Sequence, residues 1–267
     1  MNRLKKYGCI LFKSYKSQFT YRLSVISNII SAICKFFIQL NIWVALISSH
    51  VRNDVTVKEM MLYVVVNMVV LALTNADVSA NVEDNIRDGI IAVYLTQPVS
   101  YKYYLICNIL GKNAFALTFA IMPVVILSTM VIGIPIPRSF KQCFVTVIFI
   151  LIGIILSFEI SYVIGLIAFW LQTAWFLKFY LNAAITLFGG TAVPLWFYPK
   201  ALERVCHYLP FRYITFEAVN YYINGSKVIQ ENLFFKILIG LGWILVIYLI
   251  GEVVWKRAVI NLTVNGG

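Results

Sequence analysis

The chain has 267 residues, of which 61% are hydrophobic and only 12% are charged, and its mean hydropathy is +0.85. An average soluble domain is roughly 45–50% apolar and about 25% charged, so this composition excludes an ordinary soluble fold. A membrane-spanning helix needs roughly 20 apolar residues, so the chain has room for about six spans and none for a second, soluble domain. We therefore expect an all-α membrane protein with a single transmembrane domain over residues 1–267.

The formal net charge is +11. In a soluble protein this surplus would suggest nucleic-acid binding, but no nucleic-acid-binding motif accompanies it. Basic residues beside apolar helices are expected from the positive-inside rule and from attraction to anionic lipid. We therefore predict contact with membrane lipid and no nucleic-acid partner. The modest excess of Lys and Arg at one set of span ends predicts a multi-pass protein with both termini cytoplasmic.

No enzyme site is recognisable in the sequence. The five cysteines are scattered, and no C-x-x-C pair indicates a zinc site or a disulfide framework. His50 and His207 lie far apart and lack a metal-ligand pattern. Gly111-Lys112 is followed by Asn inside an apolar run, so it does not form a phosphate-binding loop. We predict that the chain is not an enzyme and holds no cofactor or metal, so ATP-driven work would need an ATPase on a separate chain.

Hydropathy predicts six spans with short connections. Residues 1–20 precede them, and their apolar positions recur at helical spacing, which predicts an amphipathic helix at the membrane interface. The second span becomes polar after Leu73, so its lower end should lie in water or against protein. The spans are predicted at about 23–48, 60–73, 104–132, 143–170, 179–196 and 233–254. Lys112 and Pro123 interrupt the third of them.

The most hydrophilic internal segment, residues 81–100, joins the second and third spans. Ile86, Ile90 and Tyr94 fall on one face of a predicted short helix, and charged residues fall on another. One interpretation is a solvated loop, as most charge runs are. The other is a helix that docks a cytoplasmic partner. The candidate docking residues are Glu83, Asp84, Ile86, Arg87, Asp88 and Gly89.

Glu159 lies in the middle of the fourth predicted span, between apolar neighbours. An unpaired carboxylate there would cost at least about 2.5–3.5 kcal/mol, so it should face the helix bundle. It could contact a cationic substrate or carry a proton. Alternatively it forms a structural pair, for example with Lys112, or is a protonated acid. Lys35, in the first span, is interpreted as a structural residue that snorkels or pairs.

Gly189-Gly190, followed by prolines 194 and 199, would break a helix at membrane depth, where free backbone is tolerated only against protein or water. This predicts a partly re-entrant outer segment over residues 194–231, between spans five and six. The alternative is an ordinary span end with an aromatic belt at 196–198. The candidate residues of a translocation path or outer gate are Glu159, Gly190, Pro194, Trp196 and Phe197.

Several short segments also follow one another in a recognisable order. They are Ile86–Ala92, Leu95–Ser100, Gly165–Trp170, Gly190 with Val193–Pro199, and Leu209–Phe211. In this order and spacing they resemble the ABC-2 type permease subunits of bacterial ABC exporters, and more narrowly the six-span permeases usually encoded in pairs beside one ATPase. The resemblance covers essentially the whole chain.

The resemblance implies a permease in the bacterial cell membrane that dimerises with a like or related subunit. Two copies of a cytoplasmic ABC ATPase, which would bind ATP and Mg²⁺, are then expected beneath it. By the same analogy, residues 81–98 hold the coupling helix that receives the conformational change of the ATPase. The amino-terminal helix would be a connecting element at the membrane surface, and residues 194–226 would form the outer cap.

We interpret the chain as the permease subunit of an ATP-driven exporter that works by alternating access at a dimer interface. Few fixed charges in the spans favour an amphipathic or hydrophobic cargo, such as a drug, peptide or lipid. One alternative is an ion-coupled secondary transporter, which usually shows more spans or an inverted repeat, and we find no internal repeat. The other is a membrane-embedded lipid-modifying enzyme, which would need convergent polar residues at one membrane depth.

Overall fold

A computed structural model describes residues 3–48, 56–96, 99–133, 139–171, 175–228 and 233–260. In these ranges the chain forms helices and no strand, which confirms the predicted all-α class. His50 and the ends of the predicted outer segment at 229–231 lie outside the described residues. The α-helices are α1 Arg3–Ser17, α2 Arg22–Ser48, α3 Val57–Thr74, α4 Val78–Arg87, α5 Ile90–Thr96, α6 Tyr101–Ala116, α7 Met122–Ile132, α8 Phe140–Leu166, α9 Trp175–Phe188, α10 Lys200–Tyr208, α11 Phe216–Val228 and α12 Leu233–Ile260.

Five stretches of the described chain are long and apolar enough to cross a membrane. They are Arg22–Ser48, Val57–Arg87, Tyr101–Met130, Phe140–Phe169 and Leu233–Val259. The remaining predicted span corresponds to α9, which has 14 residues. At 1.5 Å per residue α9 is about 21 Å long and cannot cross a hydrocarbon core of about 30 Å by itself.

The prediction that the fifth span continues to Trp196 is wrong, because α9 ends at Phe188. Gly190 adopts a positive φ of 70°, which an α-helix cannot contain. The chain then makes a 3₁₀ turn over Leu195–Phe197 before α10. A pair of glycines therefore ends this helix part-way along its apolar sequence.

Helix α8 forms the centre of the bundle and packs against α3, α4, α11 and α12. Its glycines allow neighbouring backbones to approach closely. A Cβ at Gly153 would lie 2.4 Å from the carbonyl oxygen of Ile214, and one at Gly165 would lie 2.8 Å from Cβ of Val82. Small residues on α8 thus position α4 and the segment before α11 directly against it.

The amino-terminal helix α1 forms as predicted, but it packs along α6. Ser14 Oγ donates a hydrogen bond to the carbonyl of Asn108 at 2.7 Å, and the rings of Tyr7 and Tyr103 meet edge to face. Gly111 lies under α1, where an added Cβ would be 2.4 Å from the carbonyl oxygen of Leu11. Tertiary contacts therefore hold α1 against the third span, and its position relative to lipid stays a prediction.

Replacing Gly111 by Ala should release α1. Ala ordinarily stabilises a helix interior by up to about 1 kcal/mol relative to Gly, but here the methyl group overpacks the contact at a cost of about 1–3 kcal/mol. Thermal unfolding in detergent and limited trypsin cleavage within α1 are the measurements. Gly242→Ala in α12 is the matched control, since nothing lies within 4 Å of that position. Equal melting temperatures and cleavage rates in the two variants would contradict the packing described for Gly111.

The polar lower end of the second span lies against protein, as predicted. The helix is interrupted at residues 75–77, between α3 and α4. Asn113 Nδ2 donates to the carbonyls of Leu73 and Asn75, at 2.9 and 2.7 Å. Ser161 Oγ accepts from two backbone N–H groups at the start of α4, both at 3.1 Å. Side chains from α6 and α8 therefore satisfy the backbone groups that the break leaves free.

The third span contains a π-helical turn, Leu117–Ile121, immediately before α7. The amide N–H of Met122 bonds to the carbonyl of Leu117, five residues earlier. Pro123 follows and has no N–H, so it cannot complete the preceding α-helical turn. The interruption predicted at Pro123 therefore takes the form of a local widening rather than a chain break.

Residues 81–96 do not form one amphipathic helix. Gly89 has a φ of 68° and separates α4 from α5, so the helical period restarts after it. Ile90, predicted to share an apolar face with Ile86 and Tyr94, is 42% exposed, whereas Ile91 is 2% exposed. The prediction for Ile90 is wrong because the left-handed glycine rotates α5 relative to α4.

Candidate functional site

A cleft of about 710 Å³ lies between two helices of the described chain. Helices α2 and α9 supply residues on its two sides, and α3, α6 and the π-helical turn supply most of its floor. Helix α2 packs mainly on α3 and on the π-helical turn, whereas α9 packs on α4, α8 and the 3₁₀ turn before α11. The cleft is therefore a space left between two peripheral helices, and its walls combine polar and apolar side chains.

The polar side chains of the cleft include two lysines near the middle of predicted spans, Lys35 on α2 and Lys112 on α6. Lys35 is exposed and Lys112 is half-buried. Neither makes an ion pair with any residue that the structure describes. Asn28 on α2 and Asn182 on α9 add side-chain amides to the same cleft.

A single carboxylate lines the cleft among the described residues, that of Asp77 in the break between α3 and α4. It is already paired, because Lys178 Nζ of α9 lies 2.7 Å from Asp77 Oδ2. This ion pair joins the broken second span to α9. The charges of Lys35 and Lys112 are therefore not balanced by the acid of the cleft wall.

The other end of the cleft is bounded by the turn at residues 189–191, of which Thr191 is a lining residue. Tyr63 donates a hydrogen bond of 2.6 Å to the carbonyl of Gly190. Asn67 Nδ2 donates to the carbonyl of Thr191 at 2.9 Å. Buried side chains of α3 thus replace helical hydrogen bonds after α9 ends. The predicted helix break is confirmed, and the depth of this segment in the membrane stays a prediction.

The predicted outer-gate residues lie beside this turn rather than in the cleft wall. Pro194 is buried, and the Trp196 ring lies 5.2 Å from the ring of Tyr63. The Phe197 ring lies 5.2 Å from that of Trp43 on α2. The aromatic residues therefore connect the segment after α9 to the carboxyl-terminal part of α2 and the amino-terminal part of α3, and their role as a gate stays a prediction.

The segment between α10 and α11 contains a buried ionic cluster that the sequence analysis did not identify. Arg212, 4% exposed, pairs with Glu217, which is fully buried, and its guanidinium lies 5.0 Å from the Phe216 ring. The same guanidinium contacts Nδ1 of His207. Burial and the charge of Arg212 lower the pKa of His207. This cluster joins α10 to α11.

Glu159 is buried, as expected, but its partner is not Lys112. Its carboxylate lies 2.9 Å from Nζ of Lys102, at the start of α6, and the same Nζ lies 3.9 Å from Glu252 of α12. The ammonium group also lies 4.3 Å from the Tyr248 ring. Glu159 borders a separate, mainly apolar cavity of about 70 Å³ and is not among the lining residues of the large cleft. Its role in transport stays a prediction.

The candidate docking residues lie at the exposed end of α4. Arg87 Nη2 is 2.8 Å from Asp84 Oδ1, and its Nε is 3.5 Å from Asp88 Oδ1, with all three side chains more than half exposed. Glu83 and Ile86 are half-buried. The rest of α4 is firmly anchored, because Val78 and Val82 are fully buried against α8 and its neighbours. An exposed charged end therefore continues directly into the bundle core.

Residues 32–266 match the family described as ABC-2 family transporter protein. This match covers most of the 267-residue chain. The chain belongs to this family. No curated protein sequence matches it. As a member of this family, it is a multi-pass membrane protein and the permease component of an ABC transporter.

The wall of this permease's cleft was not among the sites predicted from the sequence, although the sequence contains a signal for it. On α2, Asn28, Ser31 and Lys35 are spaced three and four residues apart, and on α9 Asn182 and Thr186 are four apart. This spacing places each set on one helix face. Polar stripes on apolar helices indicate a surface that faces water or protein rather than lipid.

Proposed function

We propose that this ABC-2 permease exports an amphipathic or hydrophobic compound by alternating access at a dimer interface. The observation that carries the proposal is the cleft of about 710 Å³, which combines a polar wall with apolar surface between α2 and α9. Such a mixed lining suits a molecule with a polar and an apolar part. The cytoplasmic partner would be an ABC ATPase in two copies, which binds ATP and Mg²⁺.

The dimer is supported by the uncovered apolar surface of the helices that flank the cleft. Leu23, Ile30 and Phe37 on α2 are each more than half exposed, as are Phe179 and Tyr180 on α9. Part of this surface can face lipid, but the polar cleft between the two helices cannot. A second copy, or a related permease, packed across α2 and α9 would enclose the cleft between two subunits.

The docking site proposed for the ATPase is the end of α4 and the turn after it, formed by Glu83, Asp84, Ile86, Arg87, Asp88 and Gly89. The exposed charges of Asp84, Arg87 and Asp88 offer ion pairs to a partner surface. Because α4 is anchored on α8, a displacement at its end would move the bundle core. We further propose that both termini lie on the cytoplasmic side of a bacterial cell membrane, as the distribution of basic residues predicts.

The proposal is tested by purifying the tagged chain in mild detergent and identifying what accompanies it. We expect a stoichiometric partner with a phosphate-binding loop and ATP turnover. Mass spectrometry would also show whether a second permease belongs to the complex. A chain that repeatedly purifies alone, and moves substrate across vesicles without ATP, would instead support an ion-coupled secondary transporter.

Charge removal at the docking site should separate ATP hydrolysis from transport. In the triple variant Asp84→Ala, Arg87→Ala, Asp88→Ala, we expect ATP-driven flux to fall at least tenfold, since the partner loses its ion pairs. The permease should remain folded, because exposed ion pairs contribute only about 0–1 kcal/mol each. ATP hydrolysis, flux and melting temperature are measured in parallel. Arg204→Ala on α10, also exposed, is the control, and normal flux in the triple variant would refute this docking site.

A further inference from the structure

The charged side chains of the cleft wall indicate which sign of charge a bound molecule would carry, which the overall composition of the spans does not. Lys35 and Lys112 both line the cleft, from α2 and α6. The wall's one described carboxylate, Asp77, is 2.7 Å from Lys178 and so is already neutralised. The cleft thus presents two ammonium groups without a described counter-charge.

An ammonium group near the middle of a membrane span is costly unless it has water or an anionic partner. Scales of insertion put the cost at about 2.5–3.5 kcal/mol for each lysine at the span centre. Lysines near span ends can extend to the interface, but Lys35 lies about midway along the 27 residues of α2. A ligand that supplies negative charge would offset the cost of keeping the two ammonium groups in one cleft.

The neighbouring donors fit the same type of ligand. The amides of Asn28 and Asn182 face the cleft from its two sides, and each can donate two hydrogen bonds. The rest of the wall is apolar and includes Phe115 and Phe119 of the third span and Ile185 of α9. A charged group would bind to the lysines and amides, and an apolar body would lie against these rings and the aliphatic side chain.

We infer that the cargo of this permease is an amphipathic anion, whose phosphate or carboxylate group binds Lys35 and Lys112 and whose apolar part lies in the same cleft. This inference rests on the proposed function for the statement that the bound molecule is cargo. The binding site itself depends only on the cleft. The inference restricts the class of cargo to amphipathic anions. The sequence alone, with few fixed charges in the spans, favoured any amphipathic or hydrophobic compound.

Binding to the purified permease in neutral detergent tests the site without the ATPase. The probes are dodecyl phosphate, dodecanol and dodecyltrimethylammonium, which share a twelve-carbon chain. We expect dodecyl phosphate to bind at least tenfold more tightly than the other two. Lys35→Gln and Lys112→Gln should each weaken its binding about tenfold, since a hydrogen bond to a charged group is among the stronger kinds. Lys256→Gln, an exposed lysine of α12 outside the cleft, should leave binding within twofold.

Equal affinity for the three probes, or unchanged phosphate binding in both cleft variants, would overturn the inference. Loss of folding is excluded by requiring each variant to keep the melting temperature and elution volume of the wild type. Should both single variants fail that test, Asn182→Ala with Asn28→Ala removes the amide donors and must weaken phosphate binding for the inference to stand. Competition with phosphatidylglycerol in nanodiscs then identifies the source of the anion: displacement indicates a bilayer phospholipid, and resistance indicates a single-chain amphiphile.

Transport in proteoliposomes with the partner ATPase separates this inference from the proposed function. If dodecyl phosphate shows ATP-driven flux and this flux falls in Lys35→Gln, the result supports both the anionic cargo and the proposed export function. Flux of the uncharged probe equal to that of the phosphate overturns the anionic cargo while the transporter stands. Selective phosphate binding without ATP-driven flux of any probe leaves the anion site in place and overturns its assignment to cargo together with the proposed export.

Discussion

Replacing Glu217 by Ala is expected to open the segment that contains α10 and α11. The substitution leaves the Arg212 guanidinium buried without its carboxylate, and breaking a buried ion pair in this way costs about 3–5 kcal/mol. Cys206, on α10, has no exposed surface and reports the opening directly. Because 1.4 kcal/mol corresponds to a factor of ten, its labelling by a maleimide should accelerate at least about a hundredfold.

The labelling experiment uses a variant in which Cys206 is the single cysteine, the other four being replaced by Ser. Burial raises the pKa of the Cys206 thiol, which keeps the wild-type rate low. Lys200→Ala is the matched control, since it removes an exposed charge from the same helix that forms no ion pair with the described residues. A Cys206 that stays protected in Glu217→Ala would show that the Arg212–Glu217 pair does not hold this segment together.

Replacing Lys102 by Met should destabilise the permease about as strongly as Glu217→Ala does. Glu159 would keep a buried carboxylate without the ammonium group now 2.9 Å away, at a cost of about 3–5 kcal/mol. The remaining charged neighbour, Glu252, is also an acid and would not compensate. Thermal unfolding in detergent should show a clear loss for Lys102→Met.

The double variant Lys102→Met, Glu159→Gln should recover much of that stability, because neither buried charge remains. Its transport activity then distinguishes the two interpretations of Glu159. ATP-driven flux near the wild-type level would assign a structural role to the acid. A stable double variant with no flux would assign it a part in transport. Failure of the double variant to recover stability would contradict the pairing with Lys102.

Features that depend on neighbouring residues in the chain were accessible from the sequence. Apolar stretches longer than about 18 residues predict spans because the bilayer has a fixed thickness. Gly189-Gly190 with Pro194 and Pro199 predicted a helix break, since glycine and proline both disfavour a continuous helix. Pro123 predicted an interruption of the third span for a similar reason, the lack of an N–H.

Features that depend on contacts between residues far apart in the chain could not be predicted from the sequence. One of the alternatives for Glu159 was an ion pair with Lys112, but the structure places Lys112 in the wall of the large cleft. Lys102, 57 positions from Glu159 in the chain, occupies the place by the carboxylate. Several lysines on neighbouring helices have side chains long enough to reach a buried carboxylate. Which of them contacts Glu159 depends on the relative rotation and tilt of α6, α8 and α12.

The sequence by itself determined that this is an all-α, multi-pass membrane protein of the ABC-2 family. It also determined where most of its apolar helices lie and which glycine and proline interrupt them. These are consequences of hydropathy, backbone conformation and local order. Only the tertiary structure decided that α1 packs on α6, that Arg212 and Glu217 form a buried pair, and that Lys35 and Lys112 face one cleft. The reason is that burial and charge pairing arise between helices that are far apart in the chain. The period of a helix predicts which residues share a face, but not which other helix packs against that face.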